Sequence, residues 1–132
     1  MNNPFQVYQK TQVQTQSPGK LILMLYDGAI RFLKQALLVM EEKNYEKTSE
    51  LLIKVQDIFS ELSLTLNFSA GPVAEQLHTL YGSINMLLVE ANMKSDPEIV
   101  ARVLAMVEDL KLAWETIING PSVSENKKIV SA

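Results

Sequence analysis

A chain of 132 residues with 47% hydrophobic and 20% charged side chains amounts to one domain, able to bury about two-thirds of its unfolded surface in a single core. No cysteine and a single histidine, His78, exclude disulfides, thiolate metal sites, cysteine nucleophiles and any site needing two imidazoles. Twelve Lys and Arg against 15 Asp and Glu leave a net charge of −3, the wrong sign for a nucleic-acid partner held by its phosphates.

Residues 1–17 begin without a basic start or an apolar h-region, so no secretory signal is expected. The longest apolar run is a handful of residues, far short of the ~20 that cross a bilayer, and a soluble cytoplasmic protein is expected. This opening stretch holds five Gln and a few spaced apolar groups, Phe5, Val7, Tyr8 and Val13. Phe5 and Tyr8, three apart, would share one side of a short helical turn. Such a tethered segment is either a lid docked on the domain, at an effective concentration on the order of mM, or an unstructured polar tail.

Prolines and glycines then divide the chain. Pro18, Pro72 and Pro97 each follow a candidate cap (Ser17, Gly71, Asp96) and open a stretch of helical periodicity, as suits proline at the first helical position. Lys43-Asn44 makes a further break, with Asn44 able to cap the second stretch, and Gly120-Pro121 closes the last one. The spacing predicts four helices over 18–42, 45–67, 72–93 and 97–119, with a polar tail over 121–132.

Apolar residues recur at helical spacing in each. The first carries Ile22, Leu25, Ala29, Leu33, Ala36 and Met40, widened by Leu21, Met24, Gly28 and Phe32. The second carries Leu51, Val55, Ile58, Leu62 and Leu66, with Phe59 beside them. The third has Val73, Leu77, Leu80, Ile84, Leu87 and Ala91; the fourth has Val103, Val107, Leu110, Trp114 and Ile117. Four helices of ~33 Å joined by short loops pack most simply as an all-α, antiparallel up-down four-helix bundle over 18–120, with the N-terminal segment against it.

Little in the chain could carry chemistry, so no enzyme, catalytic residue, metal or cofactor is expected. The glycines at Gly19, Gly28, Gly71, Gly82 and Gly120 fit no phosphate-binding loop or dinucleotide fingerprint. Glu41/Glu42 and Glu108/Asp109 are sequence neighbours, which point apart on a helix and read as solvated faces. His78 lies beside the third core line and reads as a boundary residue.

The informative features are apolar residues where a simple bundle would be polar. Leu64 and then Phe68 continue the charged line of Glu46, Glu50, Asp57 and Glu61; Met86 falls among Glu75, Thr79, Ser83 and Glu90. Leu112 falls among Arg102, Asp109 and Thr116, and Leu38 does likewise in the first segment. These are either scattered surface residues or a groove for another chain's amphipathic helix. On the groove reading, Phe5, Val7, Tyr8, Leu38, Leu64, Phe68, Met86 and Leu112 are the candidate partner-binding residues. Gly28 and Gly82, each costing ~1 kcal/mol in a helix interior, mark either close packing inside the bundle or a gap left for an external chain.

Specific strings add to this reading. Tyr8, Val13, Thr15 and Ser17-Pro18, then Leu21-Ile22 and Met24-Leu25-Tyr26-Asp27-Gly28-Ala29-Ile30, resemble the opening of the flagellar secretion chaperone FliS family. The resemblance continues in Gln56-Asp57-Ile58, Glu61-Leu62, Leu80-Tyr81, Leu88-Val89-Glu90-Ala91-Asn92 with Lys94 and Asp96, and Trp114, and so covers residues 5 to about 119 in order. Tyr26, Asp27, Gly28 and Asn92 are its most characteristic positions. Val55 and Gly82-Ser83 depart from the family's usual residues.

The resemblance implies a cytoplasmic export chaperone. Its client would be flagellin, whose disordered C-terminal region wraps around the bundle, and covering that region would prevent premature polymerisation. It further implies delivery to the membrane-embedded flagellar export gate, and second partners such as a cochaperone, a flagellin assembly factor or an anti-sigma factor. The N-terminal segment around Tyr8 would cover the binding surface. The competing reading from the residues alone is a self-associating helical adaptor or structural subunit with no flagellin client. Neither reading involves nucleic acid or membrane insertion.

Overall fold

The computed structural model describes residues 18–119. Helix α1 spans Pro18–Glu41, α2 Tyr45–Leu64, α3 Pro72–Lys94 and α4 Pro97–Asn119, with one 3-10 turn at Phe68–Ala70. Phe5, Val7 and Tyr8, the Ser17 cap and the 121–132 tail lie outside the described residues. No helix among the described residues is long and apolar enough to cross a membrane.

The helix ends have local chemical causes. Asn44 caps α2: its side chain accepts from the Lys47 N–H at 3.1 Å, and its carbonyl accepts the hydroxyl of buried Thr48 at 2.8 Å. The Asp96 side chain accepts from the Glu98 N–H at 2.9 Å at the start of α4. Helices α1 and α3 end alike. The Asn44 N–H reaches back to the Val39 carbonyl and the Lys43 N–H to Met40; Asp96 reaches Ala91 and Ser95 reaches Asn92. Each is a Schellman closure, with Lys43 (φ +56°) and Ser95 (φ +52°) in the left-handed conformation that glycine adopts freely. Lys43→Gly is therefore expected to stabilise the fold by about 0.5–1 kcal/mol, read as a higher urea midpoint, because relief of left-handed strain exceeds the added unfolded-state entropy.

Helix α2 stops at Leu64 rather than running to 67. The Thr65 hydroxyl donates to the Leu62 carbonyl at 2.7 Å, and the Asn67 side chain takes both the N–H and the hydroxyl of Ser69, so side chains compete with the helical ladder. Gly71, at φ +112° and ψ −160°, then turns the chain into Pro72, a conformation closed to residues with a Cβ.

Helix α1 packs on α2 and α4, and α3 completes the ring against the same two, the α3–α4 seam being the thinnest. The Ser49 hydroxyl donates to Asn92 at 2.7 Å, while the Asn85 amide donates to the Gln56 carbonyl at 3.3 Å and to Ser60 at 3.2 Å. Residue numbers rising on α2 thus meet numbers falling on α3, as an antiparallel pair requires. The first, second and fourth core lines are largely as the periodicity predicts, with Met40, Leu110 and Ile117 only half-buried.

The third is rotated. Ala74, Tyr81, Ile84, Leu88 and Ala91 are buried, whereas Leu77, Leu80 and Leu87 are half-buried and Val73 is 48% exposed. The cause is Tyr81. Its ring fills the centre of the bundle in a layer with one aromatic from every other helix: Phe59 at 5.4 Å between centroids, and Tyr26, which lies 6.4 Å from Phe59 and 6.5 Å from Trp114. The Tyr26 and Tyr81 hydroxyls hydrogen-bond to each other across the bundle. Burial pushes both phenols above their usual range, so they stay neutral and paired.

Candidate functional site

Turning Tyr81 inward turns other residues of α3 outward. Met86 (76% exposed), Val89 (46%) and Met93 (82%) stand at i, i+3 and i+7 on one outer face. Ile53 of α2, 49% exposed, lies between the two ties that join α2 to α3, Ser49–Asn92 and Gln56–Asn85, and so at the level of Val89. Met86, Val89 and Met93 form an apolar strip along the outside of α3, with Ile53 exposed on the adjoining helix at the same level. Two shallow hollows meet at Met86, one lined with Asn85 and Val89, the other with Ser83, Leu87 and Glu90. A further hollow runs along the thin α3–α4 seam between Leu80, Met106, Asp109, Leu110 and Ala113.

Gly82 is exposed one turn before Met86, and a Cβ there would meet nothing within 4 Å. Close packing inside the bundle is therefore not its reason. Gly28, by contrast, is buried. Glu90 and Lys94 pair at 3.0 Å beside the strip, an exposed contact worth at most about 1 kcal/mol. Asn85, whose amide is committed to α2, keeps its own Oδ1 buried without a partner.

The other residues singled out from the sequence are dispersed. Leu38 and Leu112 are exposed, on α1 and α4, away from this strip. Leu64 and Phe68 are exposed where α2 gives way to α3, and the Phe68 ring stands edge-on to His78 at 5.4 Å. Glu41, Glu42, Glu108 and Asp109 are exposed.

The motif residues tie helices together rather than line the strip. Tyr26 belongs to the aromatic layer, Asn92 accepts the Ser49 tie, and Asp27 accepts from Lys111 at 2.6 Å, joining α1 to α4. That hydrogen bond holds the Lys111 ammonium above its ordinary range. Val89, Met93 and Ile53 escape a reading of the sequence alone. The signal of Val89 and Met93 is their spacing from Met86, hidden when the third core line is set one position out of phase; Ile53, off the core line of α2, is picked out only by the packing of α3 beside it.

Among the described residues no group of three or more His, Asp or Glu could hold a metal ion. What the surface offers is exposed apolar area with adaptable thioethers.

The family model for the flagellar protein FliS matches residues 1–121. The chain is 36% identical over 118 residues to the flagellar secretion chaperone FliS of Bacillus subtilis, covering 89% of this chain and 88% of that one. It is 33% identical over 122 residues to the protein of the same name in Vibrio cholerae, covering 89% and 90%. To the flagellar secretion chaperone FliSB of Pseudomonas aeruginosa it is 31% identical over 113 residues, covering 85% and 90%.

Proposed function

The chain belongs to the flagellar protein FliS family, and from that premise we propose that it is a cytoplasmic export chaperone for flagellin. It holds the disordered C-terminal region of flagellin, prevents its premature polymerisation and delivers it to the flagellar export gate. It acts by binding and catalyses no reaction of its own. The observation that carries this reading is the strip Met86, Val89 and Met93, with Ile53 at the same level, apolar surface that the bundle leaves uncovered.

A client that folds on binding has to offset its own ordering entropy, so the interface must be large, on the order of 2,000 Å² in total. The strip, the hollows around Met86 and the α3–α4 seam form its central part. Leu64 and Phe68 extend it towards one end, and Leu38 and Leu112 serve a client that wraps around to α1 and α4. Burying ~1,000 Å² of apolar area contributes about 25 kcal/mol gross, most of it consumed by ordering and association. Binding is passive, and release comes from competition or unfolding at the export apparatus. A cochaperone, a flagellin assembly factor or an anti-sigma factor is the kind of second partner that fits such a surface.

Calorimetry with the C-terminal segment of flagellin tests this. A one-to-one complex with a large negative heat-capacity change is expected; absence of binding rejects the proposal. Light scattering separates it from self-association, which would give an oligomer before any client is added.

Phe5, Val7 and Tyr8 are assigned to a lid that competes with the client. Deleting residues 1–16 is expected to raise flagellin affinity several-fold, since a tethered competitor on the order of mM is removed. Unchanged affinity dismisses the lid.

A further inference from the structure

We propose that Met86 and Met93 form an oxidation-sensitive pair through which peroxide switches off client binding; this rests on the flagellin reading above. The chain has no cysteine, so its thioethers are its only oxidisable sulfur. Met86 and Met93 project from the same face of α3 and are its most exposed large apolar side chains, whereas Met24, Met40 and Met106 are half-buried. Among the described methionines, access therefore directs a small oxidant to this pair first.

The step balances simply. A sulfur lone pair attacks one oxygen of hydrogen peroxide, the S–O bond forms as the O–O bond breaks, and the departing hydroxide takes up the remaining proton as water. The thioether is oxidised by two electrons and the peroxide reduced by two. Methionine sulfoxide reductase reverses the change at the expense of a dithiol.

Selectivity comes from where the two groups sit. In the free protein both side chains are already in water, so a polar sulfoxide there disturbs no packing. In the complex the same positions must be dry, and a buried sulfoxide oxygen lacking a donor is costly. Oxidation thus acts on the complex and spares the fold, unlike oxidation of a core methionine.

The test treats the full chain with hydrogen peroxide, maps sulfoxides by peptide mass spectrometry, and titrates the product with the C-terminal flagellin segment. Met86 and Met93 are expected to oxidise before Met24, Met40 and Met106, with an unchanged melting temperature. Affinity should fall by roughly 10- to 100-fold and return after reductase treatment. In the Met86→Leu, Met93→Leu double variant, affinity before and after peroxide should agree, whatever its starting value.

Earlier oxidation of the half-buried methionines, or unchanged affinity with both sulfoxides in place, overturns the inference alone. An untreated chain that does not bind flagellin overturns the reading beneath it.

Discussion

Replacing Met86 and Val89 together by glutamate is expected to weaken flagellin binding at least about 100-fold while leaving the helical circular dichroism and the melting temperature nearly unchanged. The two halves of this expectation have separate causes. Both side chains are exposed on α3, so the free bundle loses little contact, and surface changes of this kind fall within about 0.5 kcal/mol. In the complex, two carboxylates would be dried without a partner beside Glu90, which lines the same hollow as Met86. An unpaired buried charge is costly enough that even a fraction of its desolvation gives a factor of ten for each site. Isothermal titration measures the loss. Wild-type affinity in this variant would place the client elsewhere on the molecule. The same exchange at Leu38 or Leu112 then reports how far round the bundle the client reaches, because neither residue adjoins the strip.

The largest loss of stability is expected from Trp114→Ala, at about 3–5 kcal/mol in urea unfolding monitored by circular dichroism. Trp114 is 3% exposed and is α4's share of the aromatic layer. Removing it leaves a cavity beside Tyr26 that α4, tied to α1 through Lys111 and Asp27, cannot fill by collapse. Against a typical total of about 5–15 kcal/mol, that is a large fraction of what holds the domain together. A milder change isolates the polar part of the same layer. Tyr81→Phe strips the Tyr26 hydroxyl of its cross-bundle partner and should cost about 1–3 kcal/mol. Converting both tyrosines to Phe should recover part of that loss, since no phenol is then left unpaired, and the cycle of the two changes measures their coupling.

The layer also explains why the motif residues do not mark the proposed binding face. Tyr26, Asp27 and Asn92 each tie one helix to another, through Tyr81, Lys111 and Ser49 respectively. Their side chains set the angles at which the helices present their outer faces, so on the proposed function they would act on a client only through the scaffold. Asp27–Lys111 is half-exposed and contributes at most about 1 kcal/mol. The buried phenol pair is the stronger constraint on how α3 is turned.

Fold and helix number were legible because they depend on local signals. Pro72, Pro97 and Asn44 start helices by removing or capping N–H groups that have no partner in any context, and these rules need no knowledge of the neighbours. A long apolar stripe at helical spacing likewise needs burial whatever lies opposite. The end of α2 was less legible, since Thr65 and Asn67 offer side-chain hydrogen bonds that compete with three further helical residues of nearly equal merit.

The rotation of α3 was not legible at all. Its apolar residues lie most of the way round the helix, so Leu80 and Leu87 on one phase and Tyr81 and Leu88 on the next are equally good core lines in isolation. Only the presence of Tyr26, Phe59 and Trp114 at the same level of the other helices decides between them, by giving the Tyr81 hydroxyl a buried partner. That choice then exposes Val89 and Met93 beside Met86. Periodicity along one chain determines that helices form and roughly where they stop. Which face each helix spends inside, and hence which apolar residues remain outside, is set by side chains that meet only in three dimensions.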